Sequence, residues 1–131
     1  MITFQLNKLV RDKFIGIYTD KEQKPTYRLL QSTELRQQLA GKLIEEVQEL
    51  LAVEPEKVVD ELADIQQVLD DLKKLHGVSD AELTAAQRTK LAQKGGFTKG
   101  VFIETLTLQD DDPWVDYYRQ EPERFPEVTS K

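Results

Sequence analysis

From Ser32 to about Lys94, apolar side chains recur at intervals of three and four residues, a period that only a helix can gather on one side. Two interruptions cut this run into three helices. Glu54-Pro55 stops the first, and Pro55 then suits the opening turn of the second, where its missing N–H costs nothing. His76-Gly77 stops the second, because glycine accepts the left-handed backbone of a helix end. Ser32 or Thr33 is placed to cap the first helix, and Ser79 the third, with Glu82 completing a capping box. Gly95-Gly96 closes the third helix.

On a wheel of about 100° per residue, the first helix sets Leu39, Leu43, Ile44, Val47, Leu50 and Leu51 in one apolar arc. Lys42, Glu46 and Glu49 line up along one edge of it, and Glu45 lies farther round. The second helix has an arc of Val58, Leu62, Ile65, Val68, Leu69, Leu72 and Leu75. Glu61 falls in the middle of that arc and Asp64 on its border. An ionised carboxylate turned toward a core must be neutralised, paired or bound to a cation.

A short turn should fold the two helices antiparallel, so that Glu46 and Glu49 face Glu61 and Asp64. Two like charges about 4 Å apart repel by roughly 4 kcal/mol at an effective dielectric of 20, so four such groups call for a cation among them. All-oxygen ligation selects a hard ion, Mg²⁺ first, with Mn²⁺ or Ca²⁺ as substitutes. The competing reading of Glu46 and Glu49 is a solvated helix face, and that of Glu61 is a buried ion pair with Lys42 or another base.

The flanks differ from this helical centre. Ile2, Phe4 and Leu6 alternate, Thr26 to Leu30 suits a short strand, and Val101 to Leu108 is rich in strand formers. The expected fold is mainly α, a helical bundle with a small β-hairpin or short sheet built from the amino-terminal segment and the residues after the third helix. The expected domain covers residues 1–108, followed by an acidic, aromatic tail over 109–131 that carries Trp114, Tyr117, Tyr118 and Phe125.

Composition narrows the function. A net charge of −6 argues against a general nucleic-acid binder, whose surface must be basic. Without cysteine and with one histidine, zinc sites are disfavoured. Neither a signal peptide nor a membrane-spanning run is visible, so a cytoplasmic location is expected. His76 suits a helix-end contact, Asp110-Asp111-Asp112 a turn, and Gly95-Gly96 a helix stop, since no Gly-Lys-Ser/Thr follows as a phosphate loop requires.

Lys42-x-x-Glu45-Glu46-x-x-Glu49 followed by Glu61-x-x-Asp64 resembles the signature of the all-α nucleoside triphosphate pyrophosphohydrolases, the superfamily of MazG, dimeric dUTPases and phosphoribosyl-ATP pyrophosphohydrolase. Asn7-Lys8-Leu9-Val10-Arg11-Asp12-Lys13 and Lys90-x-x-x-Lys94-Gly95-Gly96-Phe97 look like a MazG-like subgroup. The similarity covers roughly Asn7 to Leu108.

The resemblance implies a MazG-like bundle, assembled as a homodimer or homotetramer, that hydrolyses a nucleoside triphosphate to monophosphate and pyrophosphate in nucleotide-pool housecleaning. It implies Mg²⁺ ligation by Glu46, Glu49, Glu61 and Asp64, with Glu45 as an extra acid that holds a second metal or orients water. It implies phosphate contacts from Lys42, and from Lys90 and Lys94, which stand where the family has a Lys-x-x-x-Arg pair. Lys94 lacks the planar fork of that arginine. Arg11 and Lys13 are candidates for a further substrate contact, against the plainer reading of a solvated amino-terminal helix. The alternative function is a non-catalytic module that binds nucleotide or metal.

Overall fold

A computed structural model describes residues 1–129. The chain divides into two compact units, Met1–Gln93 and a second that begins at Lys94. The first unit is organised by a helical hairpin. Helix α1 (Phe14–Asp20) is short and precedes the two long helices α2 (Ser32–Ala52) and α3 (Val58–Leu75). A single 3₁₀ turn, Pro55–Lys57, with Pro55 at its first position, brings α3 back alongside α2.

The line of residues that α3 turns inward is Val58, Glu61, Ile65, Val68, Leu72 and Leu75, spaced by three and four. Glu61 therefore sits within the stripe where the wheel places it. Helix α2 faces it with Leu35, Leu39, Leu43, Glu46 and Leu50. Here the wheel and the structure part. Glu46, expected at the edge, lies on the packed side and is 5% exposed, while Ile44, Val47 and Leu51 point to solvent. The apolar arc of α2 is wider than the face one partner helix can cover, and the path of the turn decides which part is covered.

The helix ends follow local chemistry. At the end of α3, Gly77 has φ +68°, its N–H donates to the carbonyl of Lys74, and the Val78 N–H donates to that of Lys73. This paired closure satisfies carbonyls the helix leaves open. Helix α4 (Asp80–Lys94) opens with the Glu82 N–H donating to Ser79 Oγ at 3.1 Å, the expected serine cap. The start of α2 departs from expectation. Gln31 is the cap residue and makes no side-chain cap bond, and Ser32 takes φ +51°. The first turn is held instead by Arg28, whose guanidinium donates to both carboxylate oxygens of Glu34 at 2.6 and 2.9 Å. Helix α4 buries none of its residues.

No strand forms among the described residues, so the expected β-hairpin or short sheet is absent. Strand preference is realised only where a neighbouring strand takes up the backbone groups and one face is buried. Tyr27, Leu29, Val101, Phe102, Ile103 and Leu106 all remain exposed.

In the second unit, Asp110-Asp111 is the expected turn, and the Asp112 carboxylate accepts the N–H of Trp114 at 2.8 Å. Helix α5 (Trp114–Arg119) starts there. Its rings cluster edge to face, with centroids 5.1 Å apart for Trp114–Tyr117, 5.2 Å for Tyr117–Tyr118 and 5.0 Å for Tyr118–Phe125. These aromatics pack on one another. No helix among the described residues is long and apolar enough to cross a membrane.

Candidate metal centre

Where α2 and α3 run side by side, Glu46 from α2 meets Glu61 and Asp64 from α3, and one carboxylate oxygen of each lies within 4.8 Å of the others. The i, i+3 spacing of Glu61 and Asp64 puts both on one side of α3. Glu61 belongs to the first turn of α3, where the partial positive charge of the helix start favours an anion.

The charges are incompletely answered within the protein. Glu46 Oε2 and Glu61 Oε2 are buried and have no hydrogen-bond partner. A buried acceptor without a partner forfeits its hydration for nothing, and native proteins rarely leave one so. Burial pushes the Glu46 carboxyl above the usual carboxylate range, the charges of Glu49 and Asp64 push the same way, and Lys42 opposes them from 3.4 Å. The donor set fits a hard divalent ion, being oxygen only.

Basic residues surround the triad unevenly. Arg11 Nη2 donates to Asp64 Oδ1 at 2.5 Å. Lys8 Nζ lies 2.8 Å from Glu45 Oε1, and Lys42 Nζ lies 3.6 Å from the same oxygen. Held between two ammonium groups, Glu45 has its carboxyl below the usual range, with the Lys8 hydrogen bond as the largest cause. Beside the triad opens a cavity of about 400 Å³. Leu35, Leu39, Val68 and Leu75 form its apolar wall, and Arg11, Lys42 and Lys74 bring positive charge to it.

Of the residues singled out from sequence, Lys42, Glu45, Glu46, Glu61, Asp64 and Arg11 gather here. Glu49 is exposed and stands outside the triad, although its charge reaches Glu46. Lys90 is exposed on α4 and lines neither the triad nor the cavity. Lys94 is the last residue of α4 and also exposed. Arg11 and Lys13 precede α1 and are not on a helix.

Sequence reasoning missed Lys8, and missed Gln67, Asp71 and Lys74 on the cavity wall. The second group carried a signal: residues 64, 67, 68, 71, 74 and 75 fall on one stripe of α3, so the side that bears Asp64 also bears Lys74. Lys8 carried none, since the reach of a non-helical segment has no period. The chain matches no protein-family model, no curated protein and no solved structure.

Proposed function

We propose that the protein hydrolyses a nucleoside triphosphate between its α- and β-phosphates. Water oxygen bonds to the α-phosphorus, the bond to the bridging oxygen breaks, and the electron pair leaves with pyrophosphate. The observation that carries this reading is the pair of buried, partnerless oxygens on Glu46 and Glu61, inside a carboxylate triad beside a cation-lined cavity.

Glu46, Glu61 and Asp64 would hold a Mg²⁺ ion, with Glu49, one turn beyond Glu46, as the fourth ligand. When bound, such an ion neutralises phosphate charge and lowers the pKa of a coordinated water. The residues themselves do the positioning. Lys42 keeps its ammonium beside Glu46 at the cavity wall, where it meets phosphate oxygens without transferring a proton. Glu45 is held ionised by Lys8 and Lys42, which suits orienting a water better than accepting its proton. The apolar wall of Leu35, Leu39, Val68 and Leu75 offers a surface for the base and excludes water around it. Lys90 and Lys94 enter this reading only through a rearranged α4 or a second copy of the chain. A homodimer or homotetramer is therefore part of the proposal.

The test is to incubate the protein with Mg²⁺ and a panel of ordinary and modified nucleoside triphosphates, measuring pyrophosphate and orthophosphate separately. Pyrophosphate in equal amount with nucleoside monophosphate is the expected result. Orthophosphate as the sole product would reject the cleavage site. Calorimetric binding of nucleotide without any product would leave a binding module in its place.

A further inference from the structure

We infer that Arg11 is a built-in counter-ion of the carboxylate triad, one that an incoming divalent cation displaces from Asp64 and that then turns to the phosphates of the substrate. This rests on the reading of Glu46, Glu61 and Asp64 as metal ligands.

The three carboxylates are balanced unequally. Glu46 has Lys42 from its own helix, one turn away. Glu61 has no ion pair among the described residues. Asp64 alone draws a cation from a distant part of the chain, 53 positions earlier, through the 2.5 Å bond from Arg11 Nη2. That guanidinium brings positive charge to the triad.

The segment that delivers it has no regular structure of its own. Residues 1–11 form neither helix nor strand, and Asn7 adopts φ +47°, a left-handed conformation that asparagine tolerates better than most residues. Two ion pairs pin the segment across the helical hairpin: Lys8 to Glu45 on α2, and Arg11 to Asp64 on α3. The Arg11 side chain is 54% exposed and that of Asp64 38% exposed. Ion pairs this open to water are weak and exchange readily. A divalent cation shared by three or four carboxylates binds the same oxygen far more strongly than one solvated guanidinium does.

Displacement has a destination. Arg11 already lines the cavity beside the triad. Its planar fork matches two phosphate oxygens at once, a geometry that Lys42 and Lys74 lack. Metal binding would thus convert a residue that shields the acid cluster into one that receives the anion the metal brings.

A rival role is open to the same residue. Arg11 could stay on Asp64 and hold it in position for the metal, as outer partners of metal ligands commonly do. The two roles predict opposite signs. Titrate the full chain with Mn²⁺ alone, following free Mn²⁺ by electron paramagnetic resonance, for the native protein, Arg11→Gln and Lys8→Gln. Displacement predicts that Arg11→Gln binds Mn²⁺ about two- to fivefold tighter, the equivalent of one exposed ion pair, and that Lys8→Gln shifts affinity by clearly less. In Mg²⁺-saturated protein, Arg11→Gln should bind inorganic tripolyphosphate at least about fivefold more weakly.

Should Arg11→Gln fold poorly, hydrogen exchange on the native protein decides the matter: Mn²⁺ should speed exchange across residues 8–13 while slowing it in α2 and α3 around the triad. Unchanged or weaker Mn²⁺ binding by Arg11→Gln, or slower exchange across residues 8–13, overturns the displacement and leaves the metal reading standing. Failure of the native protein to bind Mn²⁺ at all overturns both.

Discussion

Glu61 and Glu46 owe their interest to position rather than type, since most of the acidic residues in this chain are solvated. Exchanging Glu61 for glutamine removes a charge from a packed stripe and keeps its shape. The fold should hold or gain stability, because a buried charge without a partner weakens the state that buries it. On the proposed function, Mg²⁺ should raise the melting temperature of the native protein but not of this variant, which should also release no pyrophosphate. A full Mg²⁺ response in Glu61→Gln, read by thermal melting, would remove Glu61 from the metal site. Glu46 makes a separate forecast through pH. Its carboxyl is raised in the folded state, chiefly by burial, so the fold favours the protonated form. Its contribution is intact at low pH and is lost as pH climbs from the ordinary glutamate range, near about 4, through the raised value. In metal-free protein, Glu46→Gln should therefore gain on the native protein in melting temperature across that window, and Mg²⁺ should reverse the gap. Equal pH profiles for the two proteins would contradict the burial of a charged group there. The anomaly of Glu61 was legible in sequence because it broke the period of an otherwise apolar stripe. Glu46 was harder: an edge position on a wheel becomes a buried one only when the partner helix is placed.

At the level of elements, α2, α3 and α4 announced themselves through period and punctuation, and the residues that stop them act as their chemistry requires. Gly77 is the sharpest case. With φ +68° it sits where a side chain is strained, yet a Cβ there would meet no atom within 4 Å. Gly77→Ala should thus cost about 1 kcal/mol through backbone conformation alone, without steric clash. Asparagine at the same place should cost less. Denaturant unfolding of the two variants measures the difference, and an alanine variant as stable as the native protein would show that the α3 terminus is not held in this form. The strands were misjudged for the opposite reason. A helix closes its hydrogen bonds within one segment, so sequence alone speaks for it, whereas Val101 to Leu108 needed a partner strand that no local pattern can promise. The cap of α2 failed similarly. Ser32 was a sound local choice, but the turn is held by Arg28 on Glu34, a contact the wheel does not contain.

For the whole molecule the governing quantity is surface. Among the described residues, Leu39 and Val68 are the only buried apolar ones, each 7% exposed. Ile44, Val47 and Leu51 on α2, Val59, Leu62 and Leu69 on α3, and Leu83 and Leu91 on α4 face solvent, although their helical spacing is that of packed residues. These exposed apolar side chains support the proposed assembly of several copies. The acidic net charge does not oppose such pairing where the apposed faces are apolar. Light scattering should accordingly give a mass of twice or four times 15.1 kDa, and the melting temperature should rise with protein concentration, as it does when folding and assembly are linked. Placing a charge on the exposed face, as in Leu62→Lys, should lower the mass and the melting temperature together while leaving the inward line of Val58, Glu61, Ile65 and Val68 untouched. A monomer that melts cooperatively at one temperature over a hundredfold range of concentration would refute assembly. Such a protein would have to stabilise its fold on the hairpin alone, with two buried apolar side chains and an acid triad between its helices.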